Sequence, residues 1–141
     1  MAGESFIRAD QMIINNSLLD KVSMQAKENP RLRMNYNLHE HLVDKVHRFF
    51  NAMEPGTIVP IHRHQYTAET FMQLRGRLRV VLYGDDRTVI EDTILSTAGG
   101  NYGIHIPVGV WHWVEVLEPD TITFEVKEGP YMPLTDEDIL K

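Results

Sequence analysis

From Val46 onwards the chain breaks into short apolar-rich runs with turn residues about every ten positions, a pattern that leaves room for strands but not for ordinary helices. The runs are VHRFFNAME, TAETFMQLR, RLRVVLYG, RTVIEDTIL, GIHIP, WHWVEVL and TITFEVK. The breaks are Glu54-Pro55-Gly56, Gly76, Gly84-Asp85-Asp86, Gly99-Gly100, Pro107-Val108-Gly109 and Pro119-Asp120. Glycine and proline at such spacing mark turns. The pattern predicts an all-β sandwich or barrel and argues against a parallel α/β sheet. One helix is expected before it, over residues 17–28: Ser17 is a cap residue and Asp20 suits the first turn. Leu18, Leu19, Val22 and Ala26 form one apolar stripe, and Asn29-Pro30 stops the run. The segment RLRMNYNLHEHLVD, residues 31–44, shows no clean period. The expected organisation is a helix and capping segment over 1–45, a barrel over 46–128 and a tail over 129–141 that lies on the surface.

Composition narrows the function. A chain of 141 residues is the length of one domain with one core. With no cysteine, neither disulfides nor thiolate metal sites can form, and a cytoplasmic setting is expected. The formal charge of −6 argues against nucleic acid as a partner. No apolar run approaches the ~20 residues that span a bilayer, and the N-terminal stretch lacks the apolar region of a signal peptide.

The chemistry concentrates in PGTIVPIHRHQYTAETFMQLRG, residues 55–76. Alternation along a strand puts His62 and His64 on one side, about 7 Å apart, within reach of a single ion. In the next run Glu69, Phe71 and Gln73 share a face. His112 has the parity of Val114 and Val116, an apolar face on which a histidine needs a partner. Such a histidine serves either as a hydrogen-bonded core residue or as a ligand. Arg63 points opposite to its neighbours and reads as a solvated side chain. His41, His47 and His105 read as surface or edge residues.

This spacing resembles the first cupin motif. Gly56, five residues, His62-Arg63-His64, four residues, Glu69, six residues and Gly76 fit it without a gap. Pro107, Gly109 and His112 fit the second motif, whereas Asn101 and Val116 depart from its leading glycine and closing asparagine. The resemblance implies a cupin double-stranded β-helix, or jelly roll. It also implies that His62, His64, Glu69 and His112 hold one divalent transition metal per chain inside the barrel. Iron, manganese, nickel, cobalt or zinc would suit three imidazoles and a carboxylate, with nickel or zinc expected in recombinant protein. More narrowly, RLRMNYNLHE, PIHRH and FEVKEGPY look like the small WbuC-type cupins, which implies surface-polysaccharide metabolism.

The expected ligand is a small polar molecule, a sugar or sugar nucleotide. Gln73, Phe71, Asn37, His39, Arg33 and Tyr131 are the candidate substrate-binding residues, and Arg31 and Arg33 suit a carboxylate or phosphate. The segment from Arg31 to His41 forms either a pocket wall or a cap that satisfies its own backbone. The expected chemistry is isomerisation, epimerisation or an oxygen-dependent reaction; the alternative is a non-catalytic protein that binds a carbohydrate or acid on the metal. The apolar residues of SFIRADQMII and open sheet edges suggest a homodimer.

Overall fold

The computed structural model describes residues 13–140. Its helix, α1, runs Asn16–Glu28 and starts earlier than expected, because Asn15 and not Ser17 is the cap. Asn15 is extended, and its side chain accepts the Leu18 N–H at 3.1 Å. Asparagine is among the strongest N-cap residues, so the extra residues join the helix at little cost. Asp20 then falls beyond the first turn and pairs instead with Arg75 at 2.7 Å. Of SFIRADQMII, residues 5–12 lie outside the described part of the chain; Ile13 and Ile14 are exposed.

The seven expected runs all form strands: β2 Val46–Met53, β3 Glu69–Arg75, β4 Leu78–Tyr83, β5 Val89–Leu95, β6 Gly103–Ile106, β7 Trp111–Val116 and β8 Thr121–Glu128. An eighth, β1 Arg33–Asn37, comes from the stretch that showed no clean period. Its alternation is genuine but hidden in residues of low strand propensity. Met34, Tyr36 and then Leu38 pack towards α1, while Arg33, Asn35 and Asn37 take the other face. The strands form two antiparallel sheets, of order β1-β2-β8-β3-β6 and β5-β4-β7. Among the described residues no helix is long and apolar enough to cross a membrane.

Two cores follow from this layering. Between the sheets lie Met53, Phe71, Leu78, Val80, Leu82, Leu95, Ile106, Val114 and Val116. On the outer face of the larger sheet, Leu18, Leu19, Val22 and Ala26 of α1 cover Phe50, Ala52 and Ile122. Full burial of each of these leucine, valine, isoleucine, methionine or phenylalanine side chains stabilises by roughly 1.5–3 kcal/mol. Because α1 covers that face, β2 and β8 are buried on both sides near their middles. Gly76, with φ +73°, turns the chain between β3 and β4 so close to Thr121 that a Cβ would lie 2.7 Å from its Cα. Only glycine fits there.

His47 is a correction to the sequence reading: it is buried, not at the surface. It shares the inward parity of Phe49, Asn51 and Met53, and the chain around Leu42 and Gly129 folds over it. Its ring stacks on His39 at 4.0 Å, and its Nε2–H donates to the Leu42 carbonyl at 3.1 Å. The tail also does more than rest on the surface. Leu140 N–H donates to Ile61 O at 2.8 Å, Arg63 N–H donates to Asp138 O at 3.0 Å, and Ile139 bridges to His62.

Candidate metal centre

Four side chains from three parts of the fold meet between the sheets. Glu69 opens β3 in the larger sheet and His112 stands on β7 in the smaller one. His62 and His64 come from the connection between β2 and β3. Backbone bonds fix that connection: His62 and His112 exchange N–H···O bonds of 3.0 and 2.8 Å, and His64 O accepts the Gly109 N–H at 2.8 Å. Gly109 lies in a Pro107-to-Val110 turn with φ +80°, which glycine adopts freely. The turn therefore does two things. It starts β7 so that His112 faces inward, and it ties the second ligand segment to the first.

One potential ligand atom from each of His62, His64, Glu69 and His112 lies within 4.8 Å of all the others. Two donors about 2.2 Å from one ion stand at most about 4.4 Å apart, so a contraction of a few tenths of an ångström suffices. The ring tautomers also suit a cation. His62 Nδ1 lies 2.8 Å from Pro60 O and His112 Nδ1 lies 2.9 Å from Val110 O. A carbonyl only accepts, so both Nδ1 atoms carry the proton and both Nε2 atoms present lone pairs.

The His112 lone pair faces another acceptor. Glu69 Oε1 stands 2.8 Å from His64 Nε2 and 3.3 Å from His112 Nε2, yet Glu69 Oε1 and His112 Nε2 are buried without an aligned hydrogen bond. Two acceptors meeting in a buried space need positive charge between them, and three imidazole edges around one carboxylate are the arrangement that holds a metal cation. Burial alone would raise the Glu69 carboxyl; positive charge on the His112 and His64 side, whether a proton or a bound cation, outweighs it and holds the group below the usual carboxylate range. Burial, followed by the neighbouring His112, pushes His62 down from 6.5 to about 4. An ionised carboxylate and neutral imidazoles are the states that bind metal. The residues present fit a divalent transition metal.

A cavity of about 70 Å³ adjoins the cluster, walled by His62, Glu69, His112, Phe71, Asn51 and Glu125, with Arg33 at its rim. Glu125 is the notable addition. It is buried, accepts from Asn51 Nδ2 at 2.8 Å, and is pushed up to about 8 by burial and then by the Glu69 carboxylate. The inward run Thr121, Thr123, Glu125 on β8 is a signal of this polar wall, but only strand pairing shows that it meets Phe71 and Gln73. On the other side of His64 lies a cavity of about 270 Å³ under the tail, bordered by Glu128, Glu137 and Asp138.

Of the candidate substrate residues, Arg33 and Phe71 line the 70 Å³ cavity, and Gln73, Asn37, His39 and Tyr131 do not. Gln73 is buried with Nε2 donating to Arg75 O and Oε1 accepting from Thr123, both at 2.8 Å. His39 Nδ1 accepts the Arg48 N–H at 3.2 Å. Asn37 is exposed at the end of β1, and Tyr131 is half exposed. Arg63 is not the solvated residue expected. Its guanidinium lies 4.6 Å from the Trp111 ring centroid and its Nε 3.7 Å from Asp138, because the returning tail covers it.

A family model described as a domain of unknown function, DUF6016, matches residues 14–95, more than half of the chain. The chain belongs to the DUF6016 family. No curated protein matches this DUF6016 chain. Among solved structures it is similar to KdgF from Halomonas sp., with a TM-score of 0.55 and 18% identity over 74% of this chain and 82% of that one. It is also similar to the cupin domain of Cnp3 from Schizosaccharomyces pombe, with a TM-score of 0.55 and 10% identity over 68% and 64% of the two chains. CapF from Staphylococcus aureus, a capsular polysaccharide assembling protein, gives a TM-score of 0.51 and 20% identity, covering 67% of this chain but 26% of CapF. At these identities the likeness concerns the fold. The DUF6016 chain has the cupin jelly roll with one short helix.

Proposed function

We propose that this chain is a metal-dependent cupin acting on a small polar molecule, a sugar or sugar nucleotide of surface-polysaccharide metabolism, in the cytoplasm. The observation that carries the metal part is the convergence of unpaired acceptors from His112 and Glu69 with His64 and His62 in one buried space. The polysaccharide part is supported by the similarity to CapF in fold and by the WbuC-like segments RLRMNYNLHE, PIHRH and FEVKEGPY.

His62, His64, Glu69 and His112 would hold iron, manganese, nickel or zinc, and a metal there would polarise a substrate carbonyl or hydroxyl. The protein's own contribution is orientation. The Pro60 and Val110 carbonyls fix two imidazoles by their Nδ1–H groups. Phe71, Leu78 and Val114 keep the inner cavity apolar on one flank, while Asn51 and Glu125 offer hydrogen bonds on the other. Isomerisation or epimerisation suits that arrangement, since Glu125 is a carboxyl beside the centre that can hold or release a proton.

The test is metal analysis of untagged protein from its native host, followed by incubation with a panel of sugars and sugar nucleotides under air and under nitrogen. One equivalent of metal with a changed sugar supports the reading. Tight binding of an unaltered sugar replaces the enzyme with a binding protein, and absence of metal ends it. A homodimer belongs to the same proposal, because β5 is an edge strand with Val89 and Ile90 exposed. A monomer mass by light scattering at micromolar concentration would refute that part.

A further inference from the structure

Two cavities open beside the centre in different directions, and their linings differ in charge. Under the tail, the 270 Å³ cavity is bordered by Glu128, Glu137 and Asp138 against the single cation Lys127. Across β1, a cavity of about 420 Å³ is lined by Asn29, Arg31, Arg33, Met34, Asn35 and Asn51, with no acid. Arg33 and Asn51 also wall the 70 Å³ cavity that touches His62, Glu69 and His112. The outer cavity and the inner one therefore share a wall. In a chain with net charge −6, an acid-free lining with two arginines is a local reversal of sign.

The hydrogen bonding of that wall is incomplete. Asn51 Nδ2 donates to Glu125 Oε2 at 2.8 Å, which fixes the amide, but Asn51 Oδ1 is buried with no partner. A buried acceptor left bare is costly, and a ligand hydroxyl would supply the missing donor. Asn35 lies opposite Asn51 in the β1–β2 register and adds a second amide on the same face. Among the described residues neither Arg31 nor Arg33 has an ion-pair partner. With a divalent cation in place, the cation and Arg33 outweigh Glu69 and Glu125 even if both carboxyls are ionised, so the inner cavity does not repel an anion whose charged group sits at Arg33.

Building on the metal-centre reading, we propose that the ligand is a hydroxylated organic anion, a sugar acid or sugar phosphate, that enters across β1 and not under the tail. Arg33, with Arg31, binds its charged group in the outer cavity. Asn51 and Asn35 meet its hydroxyls, and its uncharged end reaches the 70 Å³ space beside the ion, which has room for only part of a small molecule. Glu125, the carboxyl beside the centre, also holds the Asn51 amide.

Zinc-loaded full-length protein, its metal stoichiometry measured first, is titrated calorimetrically with glucose, glucuronate and glucose 6-phosphate, and with the matched ribose, ribonate and ribose 5-phosphate. At least one anion should bind ten-fold or more tightly than its neutral parent, and the preference should shrink as salt rises. A preference for uronate and aldonate identifies a carboxylate ligand; a preference for the phosphates identifies a phosphoryl ligand. Arg33→Ala should abolish the preference with one metal per chain retained, and Arg33→Lys should restore part of it. Lys127→Ala, on the tail side, should leave it unchanged. Equal binding of neutral and anionic partners, no anion binding, or a preference that survives Arg33→Ala or vanishes in Lys127→Ala would overturn the inference. A parent protein that holds no metal overturns the metal reading and this inference with it; a metal-loaded parent without anion preference overturns the inference alone.

Discussion

The fold contains two buried groups of histidines, and their hydrogen bonds separate a structural pair from a site. His39 and His47 stack at 4.0 Å, and each ring has a backbone partner: Arg48 N–H for His39 and Leu42 O for His47. His62, His64 and His112 also lie close, with ring centroids 4.2–5.7 Å apart. There the backbone takes the Nδ1–H groups of His62 and His112 and leaves lone pairs facing the Glu69 carboxylate. His39, His47 and His112 are buried alike, and His62 and His64 are half-buried beside His112. What differs is whether the last buried atom has a donor, and only the second group is left asking for a cation.

The largest effect expected from breaking this contrast is metal loss. His64→Ala and His112→Ala should each lose the bound metal and the stabilisation it gives, about 2.7 kcal/mol when free metal is a hundred times Kd. Metal analysis and melting with and without added metal check both. His39→Ala should cost about 1–3 kcal/mol, because the Arg48 N–H loses its acceptor, while a full equivalent of metal remains. Metal loss in that variant would erase the distinction between the two groups.

Acid gives the next effect, in metal-free protein. His62 is lowered from 6.5 to about 4, so between those pH values the unfolded chain binds the proton and the folded one does not. That contribution falls as pH drops from about 6.5 to 4, by on the order of 3 kcal/mol. Glu125 has the opposite sign: raised from 4.5 to about 8, it is protonated in the fold, and its contribution is lost as pH rises across that interval. The two offset each other between about 4.5 and 6.5 and leave a plateau. Glu125→Gln should remove the plateau and expose a steady loss of stability below pH 6.5. Chemical denaturation at successive pH values measures it, and an unchanged profile would show that Glu125 does not titrate in this way.

Smaller effects sharpen the comparison. Gly109→Ala meets no atom within 4 Å, so its cost is the positive φ alone, about 1 kcal/mol, accompanied by weaker metal binding because the turn is tied to His64 O. Smallest of all is His105→Ala. His105 is exposed and contacts Thr70 Oγ1 at 3.0 Å, so stability should stay within about 0.5 kcal/mol of the parent and the full equivalent of metal should remain. Metal titration of the two variants separates them.

The sequence by itself determined what is local. Period-two runs set β2 to β8, glycine and proline set the turns, and the spacing from His62 to Glu69 set a cluster whose members the fold brings together. Each of these signals acts within about ten residues, where parity and turn chemistry are legible without knowing what packs against what. Even there β1 is not legible, since Arg33, Asn35 and Asn37 mask the alternation of Met34 and Tyr36. Strand pairing was decided only by the tertiary structure. It set Asn51 and Glu125 across a β2–β8 register 74 residues apart, buried His47 beneath a later segment, and brought the tail back to Ile61. Those contacts join residues distant in the chain, and their register depends on the summed fit of two sheets and a helix, which no single stretch of sequence carries.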